Sequence, residues 1–250
     1  MLTRRCASFG LLTTPVILAW PKAALSQENQ GEQESLDQLD YPQFELLDAP
    51  SLFGNRPATA AQIAEARLIV NNTPTGPSPI DVAQSFVDRF AASDPEAIAQ
   101  WPRPSNWNPL VVNFFGATST KANNDMIAWC AAFANWCLER AGRSGSRSAS
   151  SQSFLASRFR KTATPKRGDL ALWTCYDVRQ RSLGLGHVAF YNGPRDDRHI
   201  DVIGGNQSKD NHSSIISEVK FPIYDRMVTR GVNGRRVPCI MKFNTYVSVQ

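Results

Sequence analysis

One segment constrains the fold more than any other. Within "DMIAWCAAFANWCLERAG", Cys130, Phe133, Ala134, Cys137, Leu138 and Ala141 fall on a single apolar stripe at helical spacing, which predicts a helix over 126–141. Gly142 follows as its stop signal. Beyond it lie four strand-like segments, "DLALWT" (169–174), "HVAFYN" (187–192), "HIDVIGG" (199–205) and "VPCIMKF" (237–243). The turn "GPRDDR" joins the second and third as a hairpin. One helix followed by several antiparallel strands predicts an α+β fold with the helix packed on the sheet.

Upstream, two segments carry helix-start signals. Thr59-x-x-Gln62 opens "TAAQIAEARLIVNN", and Ser78-Pro79-Ile80-Asp81 opens "SPIDVAQSFVDRFAA". Both have capping-box spacing, and the second has proline at the first helical position. "NTPTGPSP" between them reads as a connector, 101–109 as a loop, and "LVVNFF" (110–115) as either a short strand or a buried helical turn. The expected organisation is a signal peptide (1–26), a polar linker (27–57), a helical N-terminal region (58–123) and an α+β domain (124–250).

The export signal is read from a basic start (Arg4, Arg5), an apolar run through Trp20, and Ala24 and Ser26 at cleavage-site spacing. Thr3-Arg4-Arg5 hints at a twin-arginine route, although Ala7 replaces the usual large apolar residue. The apolar run is too short to span a bilayer stably, so the mature chain is expected to be exported without stable membrane insertion, to the periplasm or beyond.

Removing the signal lowers the formal charge from +5 to +2. Residues 27–141 hold 6 basic and 14 acidic side chains, and residues 142–250 hold 18 and 8. Such an asymmetry suits an anionic ligand, or is plain solvated surface. The basic residues form no compact run and no zinc-finger spacing, which argues against nucleic acid.

A cysteine in the first turn of a helix feels the positive end of the helix dipole, which favours the thiolate. Cys130 is therefore a candidate nucleophile, while the burial habits of cysteine allow a core residue equally. Of the three histidines, His187 begins a strand directly after "LGLG" and is the best-placed base. With the hairpin turn centred near 195–196, position 187 faces about 204 and position 199 faces about 192. His199 then lies roughly 17 Å along the strand from His187 and cannot orient it. Asn206 reaches the same end of the hairpin, and its side-chain oxygen can accept the imidazole N–H as in a Cys-His-Asn triad.

The motifs "WCAAFANWCLERAG", "KRGDLALW", "GHVAFYNG" and "VIGGNQ", in that order, resemble the core of the CHAP-type amidohydrolases of the papain-like superfamily, over roughly residues 124–243. The resemblance implies a papain-like α+β fold and cleavage of peptidoglycan amide bonds. It matches Cys130 to the nucleophile, His187 to the base and Asn206 to the last motif. Many members carry an acidic residue two positions before that asparagine, where this chain has Gly204. The sister NlpC-type branch often uses a second hairpin histidine, a role the register denies to His199.

The expected reaction is thioester formation at Cys130 followed by hydrolysis, with the Cys130 backbone N–H among the oxyanion donors. Asp125, Trp129, Ser151 and Gln152 are expected to line the cleft, with peptidoglycan or its stem peptides as the partner. No metal or other cofactor is expected, since the histidines lack HExxH or CxxC spacing. Cys137 lies about 10.5 Å along the helix from Cys130, too far for a disulfide. Cys175–Cys239 is the preferred pair if one forms. Two rival functions remain: a wall-binding module without turnover, and a thiol acyltransferase or transamidase.

Overall fold

The computed structural model describes residues 58–101, 106–122, 124–209, 213–232 and 235–249; the expected signal peptide, the linker and His212 lie outside the described residues. Helix α1 (Ala60–Asn71) begins with the expected capping box. Gln62 N–H donates to Thr59 Oγ1 at 3.3 Å, and Thr59 N–H donates to Gln62 Oε1 at 2.8 Å. Helix α2 (Pro79–Phe90) has proline in its first turn but corrects the capping box expected there. The Ser78 hydroxyl donates to Asp81 Oδ2 at 2.6 Å instead of receiving a backbone N–H.

"LVVNFF" is helical: α3 (Pro109–Phe114) starts where Asn108 Oδ1 accepts Leu110 N–H at 2.9 Å. Helix α4 is Cys130–Arg140, so it begins later than residue 126. The preceding residues make another use of their polar groups. Met126 N–H donates to Asn124 Oδ1 at 2.9 Å, a local turn that competes with helix. At the far end Gly142 takes φ +68°, and its N–H and that of Arg143 close onto Glu139 and Leu138 carbonyls at 2.9 and 2.8 Å. This is the left-handed stop that glycine permits.

Seven antiparallel strands form the sheet: β1 (Arg160–Thr162), β2 (Leu170–Tyr176), β3 (Ser182–Asp196), β4 (His199–Lys209), β5 (Ser213–Pro222), β6 (Arg226–Val232) and β7 (Arg235–Ser248). Their order is β1-β7-β2-β3-β4-β5, with β6 on another part of β7. Sequence patterning missed β1, β5 and β6. The sheet is strongly curled. Trp173 on β2 crosses beneath β3 and β4, donates Nε1–H to Pro222 O at 2.8 Å, and places its ring 4.4 Å from Phe221 of β5.

Alternation along the strands divides two cores. On the convex side Leu170, Leu172, Val188, Phe190, Ile203 and Val247 pack with buried residues of all four helices. Phe86, Phe114, Phe133 and Trp136 form its aromatic centre through edge contacts. On the concave side lie Ala171, Trp173, Cys175, Leu185, Ala189, Tyr191, Val202, Cys239 and Met241. The molecule is thus α+β, with α4 over β3 and β4. The 58–123 region shares the convex core with α4.

Arg140 ties α1 to α4. Its Nη2 donates to Thr73 O at 2.6 Å and Val70 O at 3.2 Å, at the C-terminal end of α1.

Candidate active site

Cys130 is the first residue of α4 and is buried on the convex side of the sheet. Its position at the helix start is set by the close approach of α4 to β4. A Cβ on Gly205 would strike the Trp129 ring and lie 2.8 Å from Phe133 Cβ. Glycine at 205 therefore lets the first turn of α4 lie on the strand.

His187 pairs with Trp173 across β2 and β3, so both side chains point to the concave side. The imidazole stacks on Phe221 with ring centres 5.3 Å apart and an interplanar angle of 15°. Burial, followed by the nearby Arg230 and Arg226 charges, pushes its pKa down to about 3. His187 is thus neutral at neutral pH.

The group that holds His187 is Gln207. Gln207 Nε2 is 3.3 Å from His187 Nε2, and the Ser217 hydroxyl donates to Gln207 Oε1 at 3.0 Å. Because the amide oxygen accepts from Ser217, the amide N–H faces the ring. His187 Nε2 is then an acceptor, and the neutral proton sits on Nδ1.

Sequence reasoning named Asn206 and missed its neighbour. Asn206 has φ +56°, and between Gly204 and Gln207 β4 spends one more residue than β5 does between Ser217 and Ile215. This bulge carries Gln207 onto the concave face. Gly204, where an acidic residue was the family expectation, makes room: a Cβ there would lie 2.7 Å from Gln207 Nε2 and 2.9 Å from Ala189 Cβ. The "GGNQ" turn was the available signal.

The predicted register is also corrected. Phe190 pairs with Ile203, Tyr191 with Val202 and Asp196 with His199, with two irregularities between. Extending this ladder places position 187 opposite 206 instead of 204. His199 sits beside Asp196, Nδ1 to Oδ1 2.7 Å, at the other end of the hairpin.

His187 Nε2 is engaged by Gln207. Ser151 and Gln152 lie on the α4 side. Gln152 accepts from Thr174 Oγ1 at 2.8 Å and donates to Trp173 O at 3.0 Å, and Thr174 accepts from Asn244 at 3.0 Å. Gly186 admits Gln152 over the strand, since a Cβ there would collide with its amide and with Trp173 O.

The other two residues assigned to the cleft, Asp125 and Trp129, are buried. Asp125 is buried, and its Oδ2 accepts Trp101 N–H at 3.1 Å and Asn108 N–H at 2.9 Å, fixing the loops ahead of α4. Trp129 is buried against Phe114 and Gly205.

Cys175 and Cys239 share the concave core as thiols, which corrects the preferred disulfide. Cys137 is wholly buried, and that burial raises its pKa well above the ordinary thiol value. Among the described residues no group of three or more His, Cys, Asp or Glu is placed to hold a metal ion, and no helix is long and apolar enough to cross a membrane.

Residues 122–206 match the family model of the CHAP domain, a span that includes Cys130, His187 and Asn206. Comparison with curated proteins and with solved structures gave no match. The match takes in α4 and the strands on which it packs, and the architecture is consistent with a papain-like CHAP fold.

Proposed function

We propose that the protein is an exported thiol hydrolase that cleaves amide bonds of peptidoglycan, acting outside the cytoplasm. The observation that carries this reading is Cys130 at the first residue of α4 within the matched CHAP segment. In the reaction, the Cys130 thiol gives its proton to His187 and attacks the amide carbonyl. The N–H groups at the start of α4 stabilise the oxyanion. The protonated imidazole gives the proton to the leaving amine, and water cleaves the resulting thioester to a carboxylate and the thiol. Asn206 belongs to this reading as the asparagine of the last matched motif, next in sequence to Gln207, with Ser151 and Gln152 beside the substrate.

The imidazole of this reading is held, neutral, by Gln207 and Phe221.

Gly204, where many family members carry an acidic residue, favours a second reading, a wall-binding module that keeps the fold without turnover. Mass spectrometry of fragments released from purified peptidoglycan by residues 27–250, beside Cys130→Ala, separates the two. Release that disappears with Cys130→Ala supports the hydrolase, and the fragment masses name the bond. Wall binding without release would sink the hydrolase reading for that substrate. Rapid labelling of Cys130 by a thiol-reactive probe supports an activated nucleophile.

A further inference from the structure

A buried carboxylate at the start of β2 carries an oxygen that the fold leaves unused. Asp169 is 2% exposed; its Oδ2 accepts Lys166 N–H at 2.8 Å, and its own N–H donates to Lys166 O at 3.0 Å. That exchange closes the turn into β2 with one carboxylate oxygen. The other, Oδ1, is buried and has no hydrogen-bond partner among the described residues. A buried polar atom left unpaired is costly, so this oxygen calls for a donor.

Asp169 lines an open cleft of about 410 Å³ with Arg160, Thr162, Thr164, Lys166 and Ser248, and it is the one buried residue of that lining. Ser248 of β7 pairs with Arg160 of β1, and Val247 of β7 pairs with Leu170 of β2. One further step along the second ladder sets Asp169 beside Ser248. Asp169, Ser248 and Arg160 thus stand in a row across three strands, the outer two about 10 Å apart at the backbone. Among the described residues no ion pair joins Asp169 to Arg160 or Lys166, and neither cation has another carboxylate in ion-pair range.

The lining selects the ligand by charge. A lone ammonium would satisfy Oδ1 but face two cations, and a lone carboxylate would satisfy the cations but face Asp169. A group that carries both charges on one carbon meets each end, and the hydroxyls of Thr162 and Ser248 can donate or accept between them.

We propose that this cleft binds a free α-amino acid, with the ammonium on Asp169 and the carboxylate on Arg160 and Lys166. The site does not depend on turnover at Cys130.

The test is amide NMR of residues 27–250 titrated with alanine, N-acetylalanine and alaninamide at constant pH and ionic strength. Alanine should shift the Lys166, Asp169 and Ser248 amide signals saturably, and each analogue, lacking one charge, should bind about tenfold more weakly or less. Asp169→Asn, whose amide oxygen can still accept Lys166 N–H, should abolish the alanine response. Arg160→Gln, at an exposed position, should weaken it by about tenfold and provides the readout should Asp169→Asn fail to fold. No saturable response to alanine, equal binding of alanine and either analogue, or full affinity retained in a folded variant would overturn the proposal.

Discussion

The Gln207 amide nitrogen lies 3.3 Å from His187 Nε2, and the Ser217 hydroxyl fixes that amide from behind at 3.0 Å. The chain Ser217–Gln207–His187 is buried on the concave face, so the tautomer of His187 is set by an amide instead of a carboxylate. Gln207→Glu should raise the His187 pKa by one to several units, because a carboxylate there favours the imidazolium. Titration of the imidazole by NMR measures this directly, and an unchanged pKa would remove Gln207 from the role.

Stability should depend on pH through the same residue. The folded-state pKa of His187, about 3, lies below its ordinary value of 6.5, so the unfolded chain binds the proton first. Its contribution is complete above pH 6.5 and is lost as pH falls, by up to about 1.4 kcal/mol per pH unit, until the folded state protonates near pH 3. Urea unfolding at pH 7, 5.5 and 4.5 should show this slope, and His187→Asn should flatten it.

Gly205 is where α4 meets β4. Gly205→Ala should cost about 1–3 kcal/mol, because the added methyl strikes the Trp129 ring and the Phe133 Cβ in a packed core. Denaturant midpoints with an unchanged m-value would measure the loss. Full stability would show that α4 sits farther from the strand.

Arg140→Ala removes the donors that hold Thr73 O and Val70 O. The expected effect is about 1–3 kcal/mol, with faster amide exchange concentrated in α1 rather than spread over the sheet.

Cys137 should resist alkylation in the folded protein up to about pH 9, since its burial disfavours the thiolate. Mass spectrometry after iodoacetamide treatment, with and without urea, distinguishes it from Cys130, and native-state labelling of Cys137 would contradict its burial.

The local elements were legible in the sequence because each rests on neighbouring residues. Thr59 and Gln62 cap α1, Gly142 ends α4, and alternation marks β2, β3, β4 and β7. The order of the motifs around Cys130, His187 and Asn206 was likewise readable, and the CHAP match covers it. Strands β5 and β6 were not, since polar residues interrupt their alternation and their stability comes from partners far along the chain. The facing of His187 was also a tertiary decision. Strand parity makes His187 share a side with Trp173, the curl of the sheet brings Phe221 over it, and one residue of bulge at Asn206 substitutes Gln207 for the asparagine. Sequence spacing sets which residues alternate, but only packing between distant strands and α4 selects which face each alternating set occupies.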